Sequence, residues 1–140
     1  MELRKSAIFL QIGILIISSI INFTAFSKGY MPTPFQAFFS GLCVFTWFSY
    51  SLYNGCRNNS KYLIFCSLFW GIGLLLFVLG YLTKILFIGI PSIFFIAGAL
   101  YGLKYIMNIG TDMILVIVYV SVSYLLILFA FFLGKFFYRE

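Results

Sequence analysis

From Tyr62 to Leu103 a single charged residue, Lys84, interrupts an apolar run, and comparable uncharged stretches fill most of the remaining chain. A helix rising 1.5 Å per residue needs about 20 apolar residues to cross a hydrocarbon core roughly 30 Å thick. Five stretches meet that length, residues 6–27, 35–53, 62–83, 85–103 and 113–134, each free of Lys, Arg, Asp and Glu. Their apolarity is continuous, whereas a membrane strand alternates faces every second residue, so the pattern predicts helices.

Two separators carry strong turn signals. Residues 28–34 combine Lys28 and Gly29 with Pro32 and Pro34, and residues 54–61 are the most polar stretch of the chain. The third separator is weaker: Lys84, helped by Gly80 and Thr83, serves as the tip of a hairpin. Pro91 fits best in the first turn of the fourth helix, where its missing N–H costs nothing, so that helix is expected to start near Ile90 and run past Lys104, whose stem can snorkel. The expected fold is all-α, a polytopic integral membrane bundle of five transmembrane helices in one domain, 1–140. A four-span alternative makes residues 85–103 re-entrant.

Charge does not choose cleanly between the two topologies, because Lys and Arg favour the cytoplasmic side. With five spans and a cytoplasmic N-terminus, Arg4, Lys5, Arg57, Lys61 and Lys104 lie inside while Lys28, Lys84, Lys135 and Arg139 lie outside. With four spans the tail carrying Lys135 and Arg139 returns inside, leaving only Lys28, Lys84 and Lys104 outside. Five spans are preferred on backbone grounds, since a re-entrant loop needs a larger protein to shelter it from lipid. The first stretch has the basic start of a signal peptide, but its apolar part is longer than a cleaved h-region of about 7–15 residues, so it is expected to remain as a span.

Composition reinforces the membrane reading. Hydrophobic residues make up 64% of the 140 and charged residues 9%, with a mean hydropathy of +1.12. A chain this short leaves too much surface exposed to hide that much apolar area from water. The net charge of +6 is spread singly around the loops, which suits anchoring of helix ends to anionic lipid and gives no phosphate-tracking patch, so nucleic acid is not an expected partner. Asn58, Asn59 and Ser60 match a glycosylation sequon by chance, in a short loop expected on the cytoplasmic side.

The inventory of reactive side chains is thin. There is no histidine, and Glu2, Asp112 and Glu140 are the only acids. Metal and general acid–base sites need His, Cys, Asp or Glu in convergent groups, and proton-coupled carriers usually place an ionisable group at membrane depth. No catalytic residue, cofactor or metal site is assigned. Cys43, Cys56 and Cys66 form neither a CxxC pair nor a disulfide framework.

What remains are candidate polar and packing positions. At 100° per residue Gln11, Ser18 and Asn22 share one narrow arc of the first helix, suited either to interhelical hydrogen bonds or to a small polar cavity. Tyr119 and Tyr124, with Ser121 and Ser123, lie nearer mid-membrane in the last span, and their hydroxyls need partners. Asp112 stands just before that span, where an N-terminal cap is the simple reading and ion or partner binding the sharper one. Gly98 and Gly102 form a GxxxG pair for close helix contact, within the bundle or between copies.

Three function classes are compatible with this inventory. A non-catalytic interaction protein, either an accessory or regulatory subunit or an immunity-type protein that blocks a toxin by contact, needs only helix faces and loops. An oligomeric small-molecule or ion transporter or channel would line its passage with Gln11, Asn22, Tyr119 and Tyr124. An enzyme acting on lipid is the least supported, and would rest on Asp112. The expected setting is the plasma membrane of a bacterium, with the N-terminus cytoplasmic and partners drawn from the bilayer, another membrane protein or a second copy.

Overall fold

The computed structural model describes residues 5–107 and 113–138. Within them the backbone is helical apart from short turns, in the order α1 (Lys5–Lys28), α2 (Pro34–Cys56), α3 (Ser60–Thr83), α4 (Leu86–Ser92), a π turn (Ile93–Ala97), α5 (Gly98–Leu100), a 3-10 turn (Tyr101–Leu103), α6 (Lys104–Met107) and α7 (Met113–Tyr138). The protein is an all-helical, membrane-embedded bundle. Three helices, Ala7–Lys28, Ser60–Thr83 and Ile117–Phe137, are long and apolar enough to cross a membrane. The more polar α2 is of similar length and packs along α7.

Burial is inverted relative to a soluble domain. Gln11, Ser18, Asn22, Ser40 and Ser51 are all within 1% of complete burial, while Phe45, Phe38 and Phe87 are 66%, 63% and 85% exposed. Water would penalise that arrangement on both counts, whereas hydrocarbon favours it, because buried polar groups can pair with one another while apolar side chains face lipid at no cost.

The turns are closed by local chemistry. Gly29, at φ +67°, ends α1 in a Schellman motif, with Tyr30 N–H donating to the Ala25 carbonyl at 2.9 Å and Gly29 N–H to that of Phe26 at 3.3 Å. Asn58, at φ +49°, ends α2 the same way through Asn59 to Asn54 (3.0 Å) and itself to Gly55 (2.9 Å). Thr33 opens α2 with a full capping box to Gln36 and Pro34 in the first turn. Lys84 adopts the left-handed conformation at the end of α3, so the chain reverses there in two residues.

Call the end that carries residues 29–33 and 84–85 the upper end, and the end that carries residues 57–59 the lower one. Helix α1 runs up, α2 down and α3 up; the α2–α3 hairpin is filled by Trp47, whose ring stacks on Phe69 at 5.2 Å and meets Trp70 edge-on at 5.4 Å. The segment from Leu86 to Met107 then departs from a full span. It descends against α3 from Gly89 beside Gly80 to Ile96 beside Gly73, about 10 Å at 1.5 Å per residue. It then comes back. Gly102 packs on the Gln36 carbonyl in the first turn of α2, and the Tyr101 hydroxyl donates to the Tyr30 carbonyl at the upper end, at 3.1 Å.

Helix α7 therefore starts at the upper end and runs parallel to α2. Ser51 donates to the Ile127 carbonyl at 2.7 Å, and Gly55 sits against the Phe131 carbonyl with the same offset of 76 positions. A constant offset means the two helices run in the same direction, which requires one net crossing between them. The helical bundle is as expected from the sequence, and of its two topologies the contacts are those of the four-span alternative, with both described termini, Lys5 and Tyr138, at the lower end. The shelter that a re-entrant segment needs comes from α1, α2 and α3 together.

Pro91 falls in the second turn of its helix, because α4 begins at Leu86 and not near Ile90. A proline there removes the hydrogen bond to the carbonyl four residues earlier, and the helix widens into the π turn one turn later.

Candidate functional site

The break in the fourth segment organises the interior. At Leu100 the backbone reaches φ −93° and ψ −5°, and the Tyr101 N–H bonds the Gly98 carbonyl. The Gly102 N–H, which an unbroken helix would direct to that same carbonyl, instead donates to Ser40 Oγ at 3.1 Å. The Ala99 carbonyl collects donors from two other helices: Ser18 Oγ at 2.7 Å, Ser40 Oγ at 2.7 Å and Asn22 Nδ2 at 3.3 Å. Asn22 Nδ2 also reaches Ser40 Oγ and the Ser18 carbonyl, both at 2.9 Å. Ser19 Oγ donates to the Phe94 carbonyl, at 2.6 Å, at the head of the π turn. The polar side chains of α1 and α2 thus supply partners to backbone groups that the irregular helix leaves open, as membrane depth demands.

Gln11 lies on the same face as Ser18 and Asn22 but belongs to a separate group near the lower end. Its Nε2 donates to the Tyr62 hydroxyl at 2.9 Å. Gln11 Oε1, Asn22 Oδ1, Trp47 Nε1, Trp70 Nε1 and the Tyr119 hydroxyl are buried without a hydrogen-bond partner among the described residues.

Tyr119 and Tyr124 do not share a site. Tyr119 is 4% exposed and borders a cavity of about 360 Å³ between α2, α7 and Leu103, whereas Tyr124 is half-buried against the main core. Gly98 is buried in α5, and Gly102 makes a backbone approach to α2 that leaves no room for a Cβ. Asp112 lies outside the described residues. Cys43 and Cys66 are buried, Cys56 is half-buried, and all three are free thiols. No three His, Cys, Asp or Glu side chains gather among the described residues.

The sequence reading missed Ser40, Gln36 and Lys104. Ser40 is one of many serines in an apolar helix, and nothing in its neighbours marks it. Gln36 had a readable signal: Thr33, Pro34 and Gln36 spell a capping box, and its Nε2 also ties α2 to the Ile21 carbonyl at 2.9 Å. Lys104 was expected to snorkel. It is 3% exposed, because the returning segment carries it inward, with Nζ 3.4 Å from the Tyr101 hydroxyl and 5.4 Å from that ring's centre.

Comparison with known protein families, with characterised proteins and with solved structures finds no match.

Proposed function

We propose that the chain is a non-catalytic membrane protein that acts by contact, as an accessory or regulatory subunit or an immunity-type protein. One observation carries this reading: Ser18, Asn22 and Ser40 are spent on holding the Ala99 carbonyl. They are not arranged along an open polar passage, so the surfaces left to act are the helix faces and the loops. The setting that fits is the plasma membrane of a bacterium, crossed four times with both termini cytoplasmic. That orientation puts Lys5, Arg57, Lys61 and Lys135 inside, with Arg4 and Arg139 adjoining them in sequence, and leaves Lys28, Lys84 and Lys104 outside.

Purification of the tagged chain from its native membrane in mild detergent, with a mass for the complex, tests this. A stoichiometric second protein is the expected result; a chain that comes out alone as a homo-oligomer and carries solute flux in vesicles refutes it. That second outcome is the transport reading. Its support is the broken, half-depth helix itself, since discontinuous helices that meet near mid-membrane form the substrate sites of many carriers.

A further inference from the structure

The fourth segment fills the space between α1 and α3 only in its upper half. It descends to Ile96, beside Gly73, before it turns back, and α1 and α3 themselves scarcely touch. Beneath the segment lies a cleft of about 620 Å³, with Ile12 and Ile16 of α1 on one wall, Phe65 and Ile72 of α3 on the other, and Ser92 and Ile96 as its roof. Ile16 and Ile72 are exposed, so the cleft opens sideways to lipid. Ser92 is the one polar residue in the lining, and the volume falls within the range of about 300–1,000 Å³ that small-molecule sites occupy.

The shape of the cleft selects its occupant. The α3 wall runs from Phe65 to Leu76, about 17 Å at 1.5 Å per residue, against about 15 Å for half of a hydrocarbon core roughly 30 Å thick. A transmembrane helix of another protein needs a groove of the full thickness, and the fourth segment occupies the upper half of this one. An acyl chain of the lower leaflet starts at the headgroup level and ends at mid-bilayer, which are the two ends of the cleft.

Charge at the foot of the cleft fits the same occupant. Lys61 is exposed one turn below Phe65, and at 100° per residue it falls within about 40° of Leu68 and Ile72, which line the cleft. The foot of the other wall carries Lys5, two turns before Ile12. We propose that the cleft holds one acyl chain of an anionic phospholipid of the lower leaflet, with the phosphate at Lys61. The end of the chain rests on Ile96 and covers the underside of the π turn, so a lipid completes the shelter that α1, α2 and α3 give the half-depth segment. This site stands apart from the accessory-protein reading and does not depend on it.

The test uses the full chain in mild detergent, with phosphatidylglycerol and phosphatidylcholine of matched chain length added together and the bound species counted by native mass spectrometry. The wild type is expected to hold one phosphatidylglycerol in preference to phosphatidylcholine, whose choline cancels the phosphate charge. Ile72→Trp fills the cleft and should weaken retention of both lipids about tenfold. Leu125→Trp, at an exposed position of α7 away from the cleft, should leave both unchanged. Lys61→Gln should weaken phosphatidylglycerol alone, about fivefold, and Lys61→Arg should retain it. Should Ile72→Trp fail to fold, Lys61→Gln, at an exposed helix end, decides the matter.

Equal retention of the two lipids by the wild type, or a loss in Leu125→Trp as large as in Ile72→Trp, identifies annular lipid only and overturns the proposal. Retention that neither Ile72→Trp nor Lys61→Gln changes does the same. A protein partner from the native membrane that Ile72→Trp displaces, with lipid retention intact, puts a polypeptide in the cleft instead, and that too overturns it.

Discussion

Replacing Gly102 by alanine tests the central geometric claim, that the fourth segment returns to the end from which it started. A Cβ at position 102 overlaps the Gln36 carbonyl oxygen and comes within 2.5 Å of Ser40 Oγ. Neither neighbour yields cheaply. Gln36 lies in the first turn of α2, held by the Thr33 capping box and by its own side chain on the Ile21 carbonyl, and Ser40 is committed to Ala99. Overpacking of this kind costs about 1–3 kcal/mol. Displacing residue 102 also loses its N–H bond to Ser40, and interhelical bonds in membrane bundles contribute about 0.6 and up to roughly 1.7 kcal/mol. Alanine recovers at most about 1 kcal/mol of helix propensity, so the net loss is about 1–4 kcal/mol.

Unfolding in mixed micelles of rising SDS fraction, followed by the fluorescence of Trp47 and Trp70, measures it. Gly41→Ala is the matched control, since a Cβ there meets nothing within 4 Å, and its stability should stay level or rise. In a fifth full span, residue 102 would lie near the lower end, some 18 residues of α2 or about 27 Å from Gln36. Equal stability of the Gly102 and Gly41 variants would refute the returning geometry.

Other expectations are read in the same system. A reporter fused to residue 140 should register on the same side as one fused to residue 1, and opposite sides would restore five spans. Asn22→Leu should cost about 1–2 kcal/mol through the lost bonds to Ser40 and Ala99, and a variant as stable as wild type would show that the clamp contributes nothing. Gly134→Ala places a methyl against the Leu52 carbonyl and should loosen the parallel α2–α7 pair, whereas Gly13→Ala faces open space and should not; similar unfolding midpoints for the two would sink that distinction.

The helices themselves were legible because hydropathy reads length, and the five stretches seen in the sequence each contain helix. Direction was not legible. Residues 85–103 are as apolar as a span and long enough for one, and hydropathy cannot tell a helix that crosses from one that bends back. The bend lies in Pro91, the π turn and Leu100, of which only the proline carries a sequence signal, and its effect appears one turn beyond its own position. The uneven lysines and arginines point the same way as the contacts, since six positives against three is the split that the four-span arrangement gives. Backbone cost argued the other way, on the assumption that a chain of 140 residues could not shelter irregular helix.

That assumption fails because the polar arc of α1 and the break in the fourth segment are two parts of one device. Gln11, Ser18 and Asn22 could be placed on a single face from spacing alone, but the partner of Ser18 and Asn22 is the backbone of Ala99, and an alanine in an apolar run announces nothing. A sequence shows donors as side chains and hides acceptors that become available only when a helix leaves its own hydrogen-bond register. Three small polar residues on two helices are enough to satisfy that carbonyl and the Gly102 N–H, so a four-helix frame suffices to hold half-depth structure. With its polar groups committed inward to this break, the bundle also carries Lys104, 3% exposed, on the segment that the device returns to the upper end.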